Sequence, residues 1–183
     1  MSIPLKAWVI PLLCFLQPHP RSTLSTYQVT LESIKVVKAG EAGNDKELYG
    51  SIWAGAFCAG QNQQPGNSLD SRERSFVLFE RKAENYVRVH EGQALHINKS
   101  LTFDASDCPG GNLAVQVQLN DVVESTLEKL GNLAGNDGAG VGCPSEKLIV
   151  YFNEVKKNIP LRKTLNCYNR SVHMQLTFII SQV

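Results

Sequence analysis

Neither sign of charge dominates this sequence: Lys and Arg number 18 against 17 Asp and Glu, for a formal net charge of +1. A nucleic-acid partner calls for a basic excess and a solvating tail for an acidic one, so both classes drop out. Charged residues together make up only 19%, below the usual share of about a quarter. Long stretches of Ala, Leu, Glu and Lys are missing, and Met occurs only twice. The composition therefore leans towards β structure. There is no G-x-S-x-G, no H-E-x-x-H and no phosphate-binding glycine loop, which removes the serine elbow, the zinc-protease helix and the nucleotide cradle. No two cysteines stand at C-x-x-C spacing, so zinc and thioredoxin-like chemistry lack their usual ligands.

What is present starts with a leader. Lys6 precedes an apolar run over residues 7–16, interrupted by Pro11, and a polar, Pro-rich stretch over 17–22 follows. This order of positive, apolar and polar segments is that of a secretory signal. The run is too short to cross a bilayer, which takes roughly 20 residues. We therefore expect residues 1–22 to be a signal and 23–183 to be one β-sandwich domain, secreted or extracytoplasmic. Loss of the leader removes Cys14 and leaves Cys58, Cys108, Cys143 and Cys167. An even number in an exported chain implies two disulfides, with three possible connectivities.

From residue 27 onward, apolar segments recur between turn signals. Residues 27–37 (YQVTLESIKVV) are rich in β-branched side chains, and their apolar phase slips between Leu31 and Ile34, the signature of a bulge. Further strands are expected over 47–58, 75–81, 86–90, 94–98, 100–105, 147–155 and 169–183. The clearest has Leu113, Val115, Val117 and Leu119 alternating with polar or small residues. One short helix is expected over 122–130. About eight strands at regular spacing predict an all-β, antiparallel sandwich.

Candidate chemistry is sparse. His90, His96 and His173 lie in strand segments. Carboxylates gather at turns: Asp45 and Glu47 beside Asn44, Asp104 and Asp107, Asn120-Asp121, and Asn136-Asp137. Calcium takes six to eight oxygens, which loops converging at one end of a sandwich can supply; the same Asx residues also favour turns in their own right. Tyr49 and Trp53 stand four apart in one strand and share a face, which suits a sugar platform or a packed core. Asn98-Lys99-Ser100 and Asn169-Arg170-Ser171 are N-glycosylation acceptors in a host that glycosylates.

The segment VTLESIKVV at 29–37, the Asn-Asp loop and ELYGSI at 47–52 resemble the first two strands of C2-like sandwiches. Such domains accompany exported pore-forming and membrane-targeting proteins, and in them the loop between these strands gives an Asp to calcium. By that resemblance Asp45 is the ligand, with Glu47, Asp121 and Asp137 as supporting candidates. The Asp-x-Asp pair of the family's second loop is matched only by Asp121, followed later by Asp137. The resemblance implies a secreted, non-enzymatic binding or targeting module that contacts a membrane surface or a protein receptor through its loops, with calcium as cofactor. A lectin-like glycan binder using Trp53 is the alternative. A hydrolase whose site includes His90 or Asp104 is the second.

Overall fold

The computed structural model describes residues 25–39, 45–60, 75–108, 110–121, 143–169 and 172–183. The expected leader, the expected helix over 122–130 and Asp137 lie outside the described residues. Among the described residues, nine strands form two antiparallel sheets: β1 (Thr26–Lys38), β2 (Asp45–Phe57), β3 (Ser75–Arg81), β4 (Val87–His90), β5 (Ala94–Asp104), β6 (Asn112–Asp121), β7 (Cys143–Tyr151), β8 (Leu161–Asn169) and β9 (Val172–Gln182). One sheet has the order β5-β1-β9-β8; the other runs β3-β2-β6-β7, with β4 also paired to β2.

Period-two alternation sets which side chains meet between the sheets. Val29, Leu31, Ile34 and Val36 of β1 and Met174, Leu176, Phe178 and Ile180 of β9 are buried from one side, Leu48, Ile52, Val115, Val117 and Leu119 from the other. The expected phase slip is a real bulge: the register of β1 against both neighbours shifts between Leu31 and Ser33, which returns Ile34 and Val36 to the core. Gly50, at φ +118, needs glycine for contact as well as conformation, since a Cβ there would lie 2.2 Å from the Gln118 carbonyl oxygen.

Three expectations need correction. Residues 94–98 and 100–105 are one strand, bent at Asn98 rather than divided. The strand expected over 147–155 runs from Cys143 to Tyr151, and Phe152–Glu154 form a 3-10 turn. The edge strand β8 has no counterpart among the expected strands. Its inward positions Leu161 and Leu165 pack on the core, but Lys163 shares their phase, and a charged side chain at an edge blurs the alternation.

One disulfide ties the two sheets together, and the other ties the end of β2 to the β5–β6 turn. Cys58, after β2, joins Cys108 in the β5–β6 turn, and Cys143 of β7 joins Cys167 of β8. The sequence separations are 50 and 24 residues. In the loop-entropy account, closing such loops contributes about 4 and 3.5 kcal/mol respectively. Paired cysteines are the mark of an oxidising compartment. Among the described residues, no helix is long and apolar enough to cross a membrane.

Candidate functional site

The sandwich has two ends. The starts of β2 and β9 and the ends of β4 and β6 meet at one, here the Asp121 end. The starts of β1 and β8 and the ends of β2, β5 and β7 meet at the other, the Cys58 end.

Three of the four carboxylates expected to hold calcium lie at the Asp121 end, and the strand period sorts them to opposite faces. Asp45 and Glu47 are on the outer face of β2, directly opposite His90 and Arg88 of β4. Asp45 pairs with the His90 ring, and Glu47 pairs with the Arg88 guanidinium. The Glu47 carboxylate holds the Arg88 pKa above its ordinary value. Lys46 and Asp121 point inward and are buried. Lys46 Nζ donates to Asp121 Oδ2 at 2.8 Å, and the Glu47 backbone N–H donates to Asp121 Oδ1 at 2.9 Å. Each of these carboxylates therefore already holds a side-chain partner. Among the described residues, no three His, Cys, Asp or Glu side chains are grouped to hold a metal ion.

The Cys58 end has a different chemistry. Gly111 lets the β5–β6 turn approach closely: a Cβ there would stand 2.1 Å from the Phe57 carbonyl oxygen and 2.7 Å from the Phe152 ring. Phe152 in turn stacks on Tyr27, with ring centroids 4.4 Å apart, and its N–H donates to the Gly111 carbonyl. Phe152 and Val155 are buried and root the β7–β8 connection. Beyond them Lys156, Lys157, Asn158, Ile159 and Pro160 are all exposed. The tip turns through the Ile159 N–H to Lys156 carbonyl bond and through Asn158 at φ +64. Ile159 is 59% exposed, and among the described residues neither lysine of the tip makes an ion pair. Behind the tip, Glu154 accepts from the Tyr151 N–H and from Lys163 Nζ, which together hold its carboxyl below the usual range.

A pocket of about 340 Å3 opens at the same end, lined by Ala56, Phe76, Thr102, Phe103, Asp104, Asp107 and Cys108. Asp104 accepts hydrogen bonds from the Ser106 hydroxyl and backbone N–H, which keep its carboxyl below the usual range. Of the large apolar side chains left exposed, Phe76, Ile149, Tyr151 and Ile159 lie towards the Cys58 end, whereas Tyr86 and Tyr168 lie towards the other.

His90 and Asp104 are at opposite ends of the sandwich and share no site. His173 stacks on Tyr168, at 4.3 Å between centroids, and shares Asn166 Oδ1 with Gln175. Tyr49 and Trp53 share the outer face of β2, as their spacing implies, and both are half-buried. Sequence reasoning missed the tip. Its signal was two lysines, an asparagine and an isoleucine running into Pro160, a turn that places an apolar residue where loops normally carry polar ones.

No protein-family model matches the chain, and no curated protein matches it. Among solved structures it is similar to human GIVD cytosolic phospholipase A2, at 12% identity and TM-score 0.43 over 90% of this chain and 17% of that one. It is also similar to a pair of C2 domains from extended synaptotagmin 2, at 15% identity and TM-score 0.41 over 100% of this chain and 48% of that one. A third is a single C2 domain of plant extended synaptotagmin 1, at 10% identity and TM-score 0.40 over 87% of this chain and 95% of that one. The chain spans under a fifth of the length of the phospholipase chain with which it aligns.

Proposed function

We propose that this chain is a non-enzymatic binding and targeting module that contacts a membrane surface through its Cys58 end. The observation that carries this reading is the β7–β8 tip, where Ile159 is exposed between Pro160 and the Lys156-Lys157 pair. Burying an isoleucine side chain is worth about 1.5–3 kcal/mol. Each lysine near an anionic surface adds about 1 kcal/mol. The first term favours any bilayer and the second a negatively charged one, and neither needs the carboxylates at the opposite end. The buried Phe152 and Val155 beneath the tip hold it in place, so little conformational entropy is lost on contact. The two disulfides support an extracytoplasmic setting for the same module.

Co-sedimentation of the full chain with vesicles of phosphatidylserine in phosphatidylcholine, and of phosphatidylcholine alone, tests the reading. Binding should require the anionic lipid, fall as salt rises, and be lost in Ile159→Asp and in Lys156→Glu/Lys157→Glu. Parallel arms with calcium and with EGTA measure any help from the cation. Equal sedimentation of the wild type and Ile159→Asp would remove the tip from the contact and leave the receptor and glycan readings.

A further inference from the structure

We propose that Asn98 carries an N-linked glycan; the proposal rests on the export part of the reading above. Asn98-Lys99-Ser100 is an acceptor triplet, and all three residues are exposed. Their placement in the fold adds what the triplet alone cannot. From Leu31 to Ser33 in β1, the paired strand β5 runs from Lys99 to His96, one residue further. Asn98 falls in this bulge at φ +51. Side chains other than Gly, Asn and Asp are strained in that region. Of the three residues that suit this backbone, only asparagine also accepts a glycan.

β5 is the end strand of its sheet, hydrogen-bonded there to β1 alone. Exposed strand edges invite pairing with other chains, and a bulge or bulky polar group blocks it. A glycan on Asn98 projects from this edge without displacing a core side chain. Strand β8, which begins just beyond the β7–β8 tip, is the opposite edge of the same sheet. The glycan therefore leaves Lys156, Lys157 and Ile159 uncovered.

The donor is an oligosaccharide linked through a diphosphate to a lipid carrier. Asn98 Nδ2 forms a bond to C1 of the first sugar as the bond from C1 to the phosphate oxygen breaks. The lipid diphosphate leaves with the electron pair, Nδ2 gives up one proton to a base, and nothing is oxidised or reduced. Transfer precedes folding, after which the Ser100 hydroxyl lies 2.7 Å from the Thr30 hydroxyl.

The test is the full chain expressed in a cultured animal cell line. The medium is treated with peptide N-glycosidase in 18O-water, which converts each glycosylated Asn to labelled Asp, and is then mapped by mass spectrometry. The labelled product should appear at residue 98. Asn98→Gly, which keeps the left-handed backbone, and Ser100→Ala should each lose one glycan-sized step in gel mobility and still be secreted. Secreted, disulfide-bonded protein with Asn98 unmodified overturns the proposal while leaving export intact. Protein retained in the cytosol with reduced thiols overturns both.

Discussion

Lys46 Nζ and Asp121 Oδ2 are 2.8 Å apart across 75 residues of sequence, with 5% and 8% of their side chains exposed. They close the core where β2 begins and β6 ends. Asp121 resembles a loop ligand in sequence because it follows Asn120 at the end of an alternating run. The strand instead extends to it, and the alternation that buries Val117 and Leu119 buries its carboxylate too.

That pair predicts an asymmetric mutational response. Removing one partner leaves the other buried and uncompensated, which typically costs about 3–5 kcal/mol. Lys46→Met and Asp121→Leu should each lower urea-unfolding stability by that order. The double variant Lys46→Met/Asp121→Leu should regain much of the loss, because an apolar pair of similar volume avoids the desolvation cost. Additive losses in the double variant would show that Lys46 and Asp121 act separately.

Most of the sandwich was legible because one face of each strand is buried. The alternation of Leu113 to Leu119, the bulge after Leu31 and the engagement of Cys58, Cys108, Cys143 and Cys167 in two disulfides each had a physical cause visible in the sequence. The disulfide pairing was not legible, because nothing local says that Cys143 faces Cys167 on the other sheet. β8 was hidden by Lys163 at an inward position of an edge strand. The carboxylates were legible as a group of charges but not as ion pairs: Arg88 and His90 reach Glu47 and Asp45 only through the β2–β4 register. The tip was missed because its meaning depends on exposure, and Ile159 taken alone reads like any core residue.

Calcium tests the Asp45 assignment directly. A site occupied 100-fold above its Kd adds about 2.7 kcal/mol to a folded protein, an upward shift of about 5–10 °C for a chain of this size. Asp45 is paired with His90, Glu47 with Arg88 and Asp121 with Lys46, so a cation would have to displace existing partners. We expect no such shift between EGTA and millimolar calcium, and the same melting temperature for Asp45→Asn in both. A shift of that size that Asp45→Asn abolishes would mean that calcium takes the place of His90 against Asp45.

Three groups at the Cys58 end contribute to the acid and alkaline limbs of stability. Glu154 is held below its ordinary value of 4.5, chiefly by the Tyr151 N–H and then by Lys163. Asp104 is held below 3.8 by the Ser106 hydroxyl and then by the Ser106 N–H. A carboxyl with a lower pKa folded than unfolded stabilises the fold when ionised. That stability is complete above the ordinary values and is lost as pH falls from them through the lowered folded values, with the loss for Glu154 beginning first. Tyr27 shifts the other way: burial raises it above 10.0, against a smaller opposing effect of Ser25. Its contribution is present below pH 10.0 and is lost as pH rises further. Carboxyl 13C titration should find Asp104 below the usual range in the wild type and moved up in Ser106→Ala. In urea unfolding at a series of pH values, Ser106→Ala should lose less stability than the wild type on going from pH 5 to the acid limb, since its Asp104 starts closer to the unfolded value. An unchanged Asp104 titration in Ser106→Ala would show that the turn hydrogen bonds do not set its charge.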